Sequence, residues 1–137
     1  MESSRRRIPV VLDTNFLLIP GQHRVDIFSE LDRVLEFNYR PVTLTGVVEE
    51  LREIAESEEA GRRDRIAAKI ALKLLDRVEV VEYGKGLDVD EAIVRYALEN
   101  GAVVCTLDKE LRKRLRKLGV RVVYLRELSH LEVEPEV

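Results

Sequence analysis

Five short runs rich in β-branched residues punctuate the chain, at positions 8–12, 42–44, 78–81, 102–107 and 122–125. Several are continuous rather than alternating, the pattern of strands covered on both faces. Between them apolar residues recur at helical spacing over 25–37, 46–56, 62–77, 90–99 and 109–118. The last two stretches end at Gly101 and Gly119, residues suited to stopping a helix. Strands alternating with helices imply βαβ units and a parallel sheet sandwiched between helical layers. The expectation is therefore one three-layer α/β domain over residues 1–137, with loose termini at 1–7 and 132–137.

Composition narrows the partners. No apolar run reaches the roughly 20 residues that span a bilayer. Arg5, Arg6 and Arg7 precede an apolar stretch that Asp13 and Asn15 cut short, so no signal peptide is read there and the protein is expected in the cytoplasm. Cys105 is the single cysteine, which excludes an intrachain disulfide and a cysteine zinc cluster. The net charge of −3 hides a polarised chain. Between Lys109 and Arg121 stand seven bases (Lys109, Arg112, Lys113, Arg114, Arg116, Lys117, Arg121) against one acid, Glu110. Such a segment attracts polyanions locally, although a solvated helix face explains it as well. Within it Leu111, Leu115 and Leu118 form one stripe that should face the sheet.

Four carboxylates stand where a surface explanation is weak. In an open parallel sheet ligands bind beyond the carboxyl ends of the strands, where the strand order reverses. Asp13 follows the first run and Asp108 the fourth; helix N-capping accounts for either equally well. On a helical wheel Asp90 aligns with Ile93, Val94 and Ala97, at the head of an apolar stripe. Its neighbour Asp88 lies on a polar face and, with Glu91, resembles a capping box. Glu50 aligns with Val47 and Ile54, whereas Glu49 turns outward with Arg52 and Glu56. A carboxylate beside apolar residues needs a partner, and no base occupies a matching position. Asp13, Glu50, Asp90 and Asp108 should converge on one sheet edge, within about one metal-coordination sphere. Oxygen-only ligands select Mg²⁺ or Mn²⁺ over zinc, and such centres suit phosphodiester hydrolysis.

The order of these motifs resembles the PIN-domain (PilT N-terminus) ribonucleases. Val11-Leu12-Asp13-Thr14-Asn15 is similar to the family's first motif, and Val47-Val48-Glu49-Glu50-Leu51 to the second. Asp90-Glu91-Ala92-Ile93 is similar to the third, and Cys105-Thr106-Leu107-Asp108 to the fourth. The resemblance implies a five-stranded parallel sheet of order 3-2-1-4-5. It implies a metal-dependent endoribonuclease with Asp13, Glu50, Asp90 and Asp108 as catalytic and metal-binding acids. Thr14, Asn15 and Thr106 would support them by hydrogen bonding. Lys109, Arg112, Lys113 and Arg116 would bind the RNA backbone beside the cut. The likeness extends to toxins of the VapC type and to rRNA-processing nucleases. It leaves room for a homodimer and for an antitoxin or ribosome-assembly partner. The competing reading is a catalytically silent PIN-like module that binds RNA or protein. Other phosphoryl chemistries fit less well. A receiver domain needs an Asp ending its third strand, a haloacid-dehalogenase phosphatase needs Asp-x-Asp where Asn15 stands, and Gly84-Lys85-Gly86 is no phosphate-binding P-loop.

Overall fold

Val10, Val11 and Leu12 are fully buried, and the strand they form, β1 (Ile8–Leu12), is the middle of the sheet. The computed structural model describes residues 7–135. After β1 come two short helices, α1 (Thr14–Leu17) and α2 (Ile19–His23), then α3 (Ile27–Val34) and β2 (Tyr39–Leu44). Helices α4 (Thr45–Glu56) and α5 (Arg62–Leu74), with a 3₁₀ turn at Leu75–Arg77, lead to β3 (Glu79–Val81). Helix α6 (Val89–Asn100), β4 (Val103–Cys105), α7 (Lys109–Lys117), β5 (Val122–Arg126) and β6 (His130–Glu134) complete the described chain.

The sheet order is β3-β2-β1-β4-β5-β6, with β1 to β5 parallel. The five expected strands and their order are thus present, and β6 is an addition, antiparallel to β5. Right-handed crossovers place α1 to α5 over one face and α6 and α7 over the other. The order reverses between β1 and β4, so a crevice opens beyond Leu12 and Cys105, which pair in register. Close packing behind this edge uses Gly21 of α2, where a Cβ would meet the Ala67 Cα of α5 at 2.5 Å. Gly101 ends α6 in the left-handed conformation at φ 62°, as its position in the sequence suggests.

Two expectations need correction. Residues 132–134 are not a loose terminus but part of β6, whose edge is tied down: the Leu131 amide donates to Glu30 Oε1 at 2.9 Å and Arg33 donates to the Leu131 carbonyl at 2.8 Å. Residues 1–6 and 136–137, including Arg5 and Arg6, lie outside the described residues. β3 is the edge strand that the expected order implies, and Val80 is 45% exposed. Leu118 lies past the end of α7 and is 46% exposed, while Leu111 and Leu115 do face the sheet. No helix among the described residues is long and apolar enough to cross a membrane.

Candidate metal centre at the carboxyl edge of the sheet

Asp13 is the best-buried acid of the edge, at 5% exposure. Its amide donates to the Cys105 carbonyl at 3.0 Å, which ties the residue to the end of β4. It caps α1: Oδ1 accepts from the Thr14 amide at 2.7 Å, and Oδ2 accepts from the buried Thr106 hydroxyl at 2.7 Å. Burial nevertheless pushes its carboxyl up from 3.8 to about 6. The two hydrogen bonds oppose the rise, and the charges of Asp90 and Glu50 add to it.

The other three acids are arranged around this one. Thr106 Oγ1 accepts from the Asp108 amide at 3.1 Å, linking the two aspartates through one hydroxyl. Asp108 caps α7, its Oδ1 accepting from the Leu111 amide at 3.0 Å. The Thr14 hydroxyl donates to Glu50 Oε1 at 2.5 Å, so α1 bridges β1 to α4. Asn15 Oδ1 accepts from the Leu107 amide at 3.2 Å and holds the loop before Asp108 against α1. Asp90 stands in the first turn of α6 at the rim, with much of its surface open. Its carboxyl is also held up, by the burial it does have and then by Asp108 and Glu50. The apolar stripe below it begins at Ala92 and Ile93, so Asp90 tops that stripe without being enclosed by it.

Helical phase separates Glu49 from Glu50 but not Asp88 from Asp90, which are both exposed. Glu49 is exposed and Glu50 half-buried. Asp88 occupies the N-cap of α6, yet its side chain makes no capping bond, and Glu91 pairs instead with Arg114 at 2.8 Å and Arg95 at 3.1 Å. The expected capping box is therefore absent. Asp88→Ala should change stability by less than about 0.5 kcal/mol, as for an ordinary surface site. A thermal melt showing a loss above roughly 1 kcal/mol, the usual worth of a cap, would contradict this.

Two contributors escape the sequence patterns. Thr43 is fully buried, and its hydroxyl donates to the Leu12 carbonyl at 2.6 Å, bracing the residue before Asp13. A lone Thr within an apolar strand is the only trace of it. Arg114 is the base that sequence spacing does not match to Asp90. Its charge favours the ionised Asp90, but its guanidinium is engaged by Glu91.

The donor set at this edge is all oxygen, and burial together with the neighbouring acids raises the proton affinity of Asp13 and Asp90. A hard divalent cation fits such a set, supplying the charge that brings ionised carboxylates together. Among the described residues no three Asp, Glu, His or Cys side chains already close into a metal cage. The four acids thus do not close into the single coordination sphere expected from the sequence, and both oxygens of Asp13, one of Asp108 and one of Glu50 are held by protein donors.

A family model described as a PIN-like domain matches residues 10–128. Over 125 residues the chain is 31% identical to Ribonuclease VapC4 of Methanocaldococcus jannaschii, covering 90% of this chain and 95% of that protein. It is 32% identical over 111 residues to the rRNA-processing protein fcf1 of Schizosaccharomyces pombe, covering 80% of this chain and 54% of that protein. Among solved structures the PIN domain endonuclease Utp24 superposes with a TM-score of 0.75 at 30% identity, covering 94% of this chain and 92% of that one.

Proposed function

The chain belongs to the PIN-like domain family, and from that premise we propose that it is an endoribonuclease. It hydrolyses RNA phosphodiester bonds with Mg²⁺ or Mn²⁺ held by Asp13, Glu50, Asp90 and Asp108. The supporting observation is electrostatic. Asp13 is buried and its proton is held to about 6, with two further acids adding to the rise. Burying Asp13, with other acids close by, costs stability that a bound cation would offset.

A divalent ion held by Asp13, Glu50, Asp90 and Asp108 would supply the charge to polarise the phosphate and to activate the attacking water. The protein's own part is positioning. Thr106 fixes the rotamer of Asp13 and the backbone of Asp108 at once. Thr14 orients Glu50 through Oε1 and leaves Oε2 for a further partner. Titration with Mn²⁺, followed by calorimetry and by cleavage of total cellular RNA, tests the reading. Saturable binding with cuts leaving 5′-phosphate ends is expected. Neither binding nor cutting would point to the silent module.

The strand of RNA is expected to run beside α7. Lys109 and Lys113 are exposed on it, near the site. Arg112 is engaged elsewhere, stacked 4.1 Å over the Tyr124 ring and 3.5 Å from Glu134, and Arg116 donates to the Val120 carbonyl at 3.1 Å. The two arginines already hold these interactions, so the exposed lysines are the better probes. Lys109→Ala with Lys113→Ala should weaken single-stranded RNA binding and flatten the log–log salt dependence by roughly 0.7 for each phosphate no longer neutralised. Unchanged affinity and slope would make α7 an ordinary solvated face.

A further inference from the structure

A cavity of about 500 Å³ opens between the first turn of α4 and the loop before α6. The carboxylate centre does not use it. Its apolar surface comes from Leu44, Leu87, Val89 and Ala92, and its rim carries Glu49, Glu82 and Lys85. The cavity adjoins the centre through two consecutive pairs in the chain. Glu49 borders the cavity and Glu50 the centre; Val89 borders the cavity and Asp90 the centre. Consecutive Cα atoms are only ~3.8 Å apart. At Gly46 a Cβ would meet Val89 at 3.0 Å, so the two helix starts that separate the compartments are pressed together.

The loop is fixed at one end and open at the other. A Cβ on Gly84 would meet Ala92 Cβ at 2.5 Å, and the Leu87 amide donates to the Gly84 carbonyl at 2.9 Å, closing a turn. Around Gly86 there is open space, and Lys85 between the two glycines is exposed. Glu49, Glu82 and Lys85 take part in none of the ion pairs found among the described residues.

We propose that this cavity receives one nucleobase of the RNA strand held at the carboxylate centre, guanine in preference to uracil. The proposal takes its ligand from the ribonuclease reading. A planar base needs apolar surface against its faces and polar groups around its edge, and single-stranded RNA is read through unstacked bases of this kind. Two carboxylates against one ammonium exclude a phosphate and select a base edge rich in N–H donors. Guanine presents N1–H and its exocyclic amine to a carboxylate, beside O6, which a lysine can reach. Uracil offers a matching N–H and a carbonyl for the lysine, but it places O2 where guanine carries its amine, so that carbonyl would face a carboxylate. The site therefore cuts next to a chosen base, while the phosphate interactions of α7 stay indifferent to sequence.

Binding measured in EDTA separates this proposal from the chemistry. The probes are hexauridylate and its six single-guanosine variants, followed by fluorescence anisotropy. The wild-type chain should bind the best-placed guanosine variant about tenfold more tightly than hexauridylate, within the range of one good base interaction. Glu49→Gln combined with Glu82→Gln should reduce that ratio to about twofold or less, with an unchanged thermal melt because both side chains are exposed. Equal wild-type binding of all seven probes, absence of any binding, or a ratio that survives the double substitution would overturn the proposal. Cleavage of total cellular RNA with Mn²⁺ reports on the enzyme separately. Discrimination without cutting leaves the base site standing and sinks the nuclease, and cutting without discrimination does the reverse.

Discussion

Asp13→Asn should reduce RNA cleavage at least about a thousandfold while raising the melting temperature of the metal-free protein. The first effect follows from removing the best-buried acid of the proposed centre. Metal-ion stabilisation of a phosphoryl transition state is worth several kcal/mol, and each 1.36 kcal/mol is a factor of ten in rate. The second effect has the opposite sign and the same cause. Holding Asp13 ionised at neutral pH, when its carboxyl prefers a proton up to about 6, costs about 3 kcal/mol. Asparagine keeps the cap on Thr14, since its side-chain oxygen accepts equally well. Its amide then faces Thr106 Oγ1, which must accept where it now donates, at a cost of about 1 kcal/mol. A net gain of about 1–2 kcal/mol corresponds to roughly 3–8 °C for a domain of this size. Calorimetry in EDTA beside a cleavage assay with Mn²⁺ reads both. A variant that melts lower and still cuts would show that Asp13 is a structural cap and nothing more.

The residues readable in the sequence are those whose local pattern and tertiary role agree. Val10, Val11 and Leu12 form a continuous apolar run because both faces of the central strand are covered. Glu49 and Glu50 are separable because α4 is regular through both, so one residue of phase decides between solvent and the edge. Asp90 shows the limit of that argument. It has the right phase, but α6 begins at Val89, and a first-turn residue meets the rim before it meets the core. β6 escapes the sequence pattern although His130, Leu131, Glu132, Val133 and Glu134 alternate. Three charged or ionisable residues in five read as a tail until Glu30 and Arg33, about a hundred positions earlier, supply its anchors. α1 is a single turn and α2 a turn built on Pro20 and Gly21, both too short for a period to emerge. The same non-locality explains α7, where spacing marks Arg112 and Lys113 as equivalent. Only the fold reveals that Tyr124 and Glu134 claim the arginine.

The metal-free protein should be more stable near pH 5 than near pH 7.5, the reverse of the trend when ionised carboxylates are paired with bases. The folded state holds a proton on Asp13 up to about 6, whereas an unfolded chain releases it near 3.8. Between those values the native state binds more protons, so unfolding free energy falls as pH rises, and the loss is complete above about 7. Burial and the neighbouring acids push Asp90 in the same direction. Glu30 and Glu91 act oppositely, held down by Arg33 and Arg114, but what they contribute is lost only below the ordinary glutamate range. Melting temperatures in EDTA should therefore pass through a maximum near pH 5. From there to pH 7.5 the contribution of Asp13 should fall by about 1.4 kcal/mol, the part of its shift lying above pH 5. Mn²⁺ should erase that fall, because it binds the ionised carboxylates and stabilises the folded chain at the pH where repulsion is greatest. Asp13→Asn should erase most of it without metal. A metal-free wild type that melts higher at pH 7.5 than at pH 5 would mean that Asp13 ionises at its ordinary value. The burial of Asp13 among neighbouring acids would then impose no penalty for a cation to relieve.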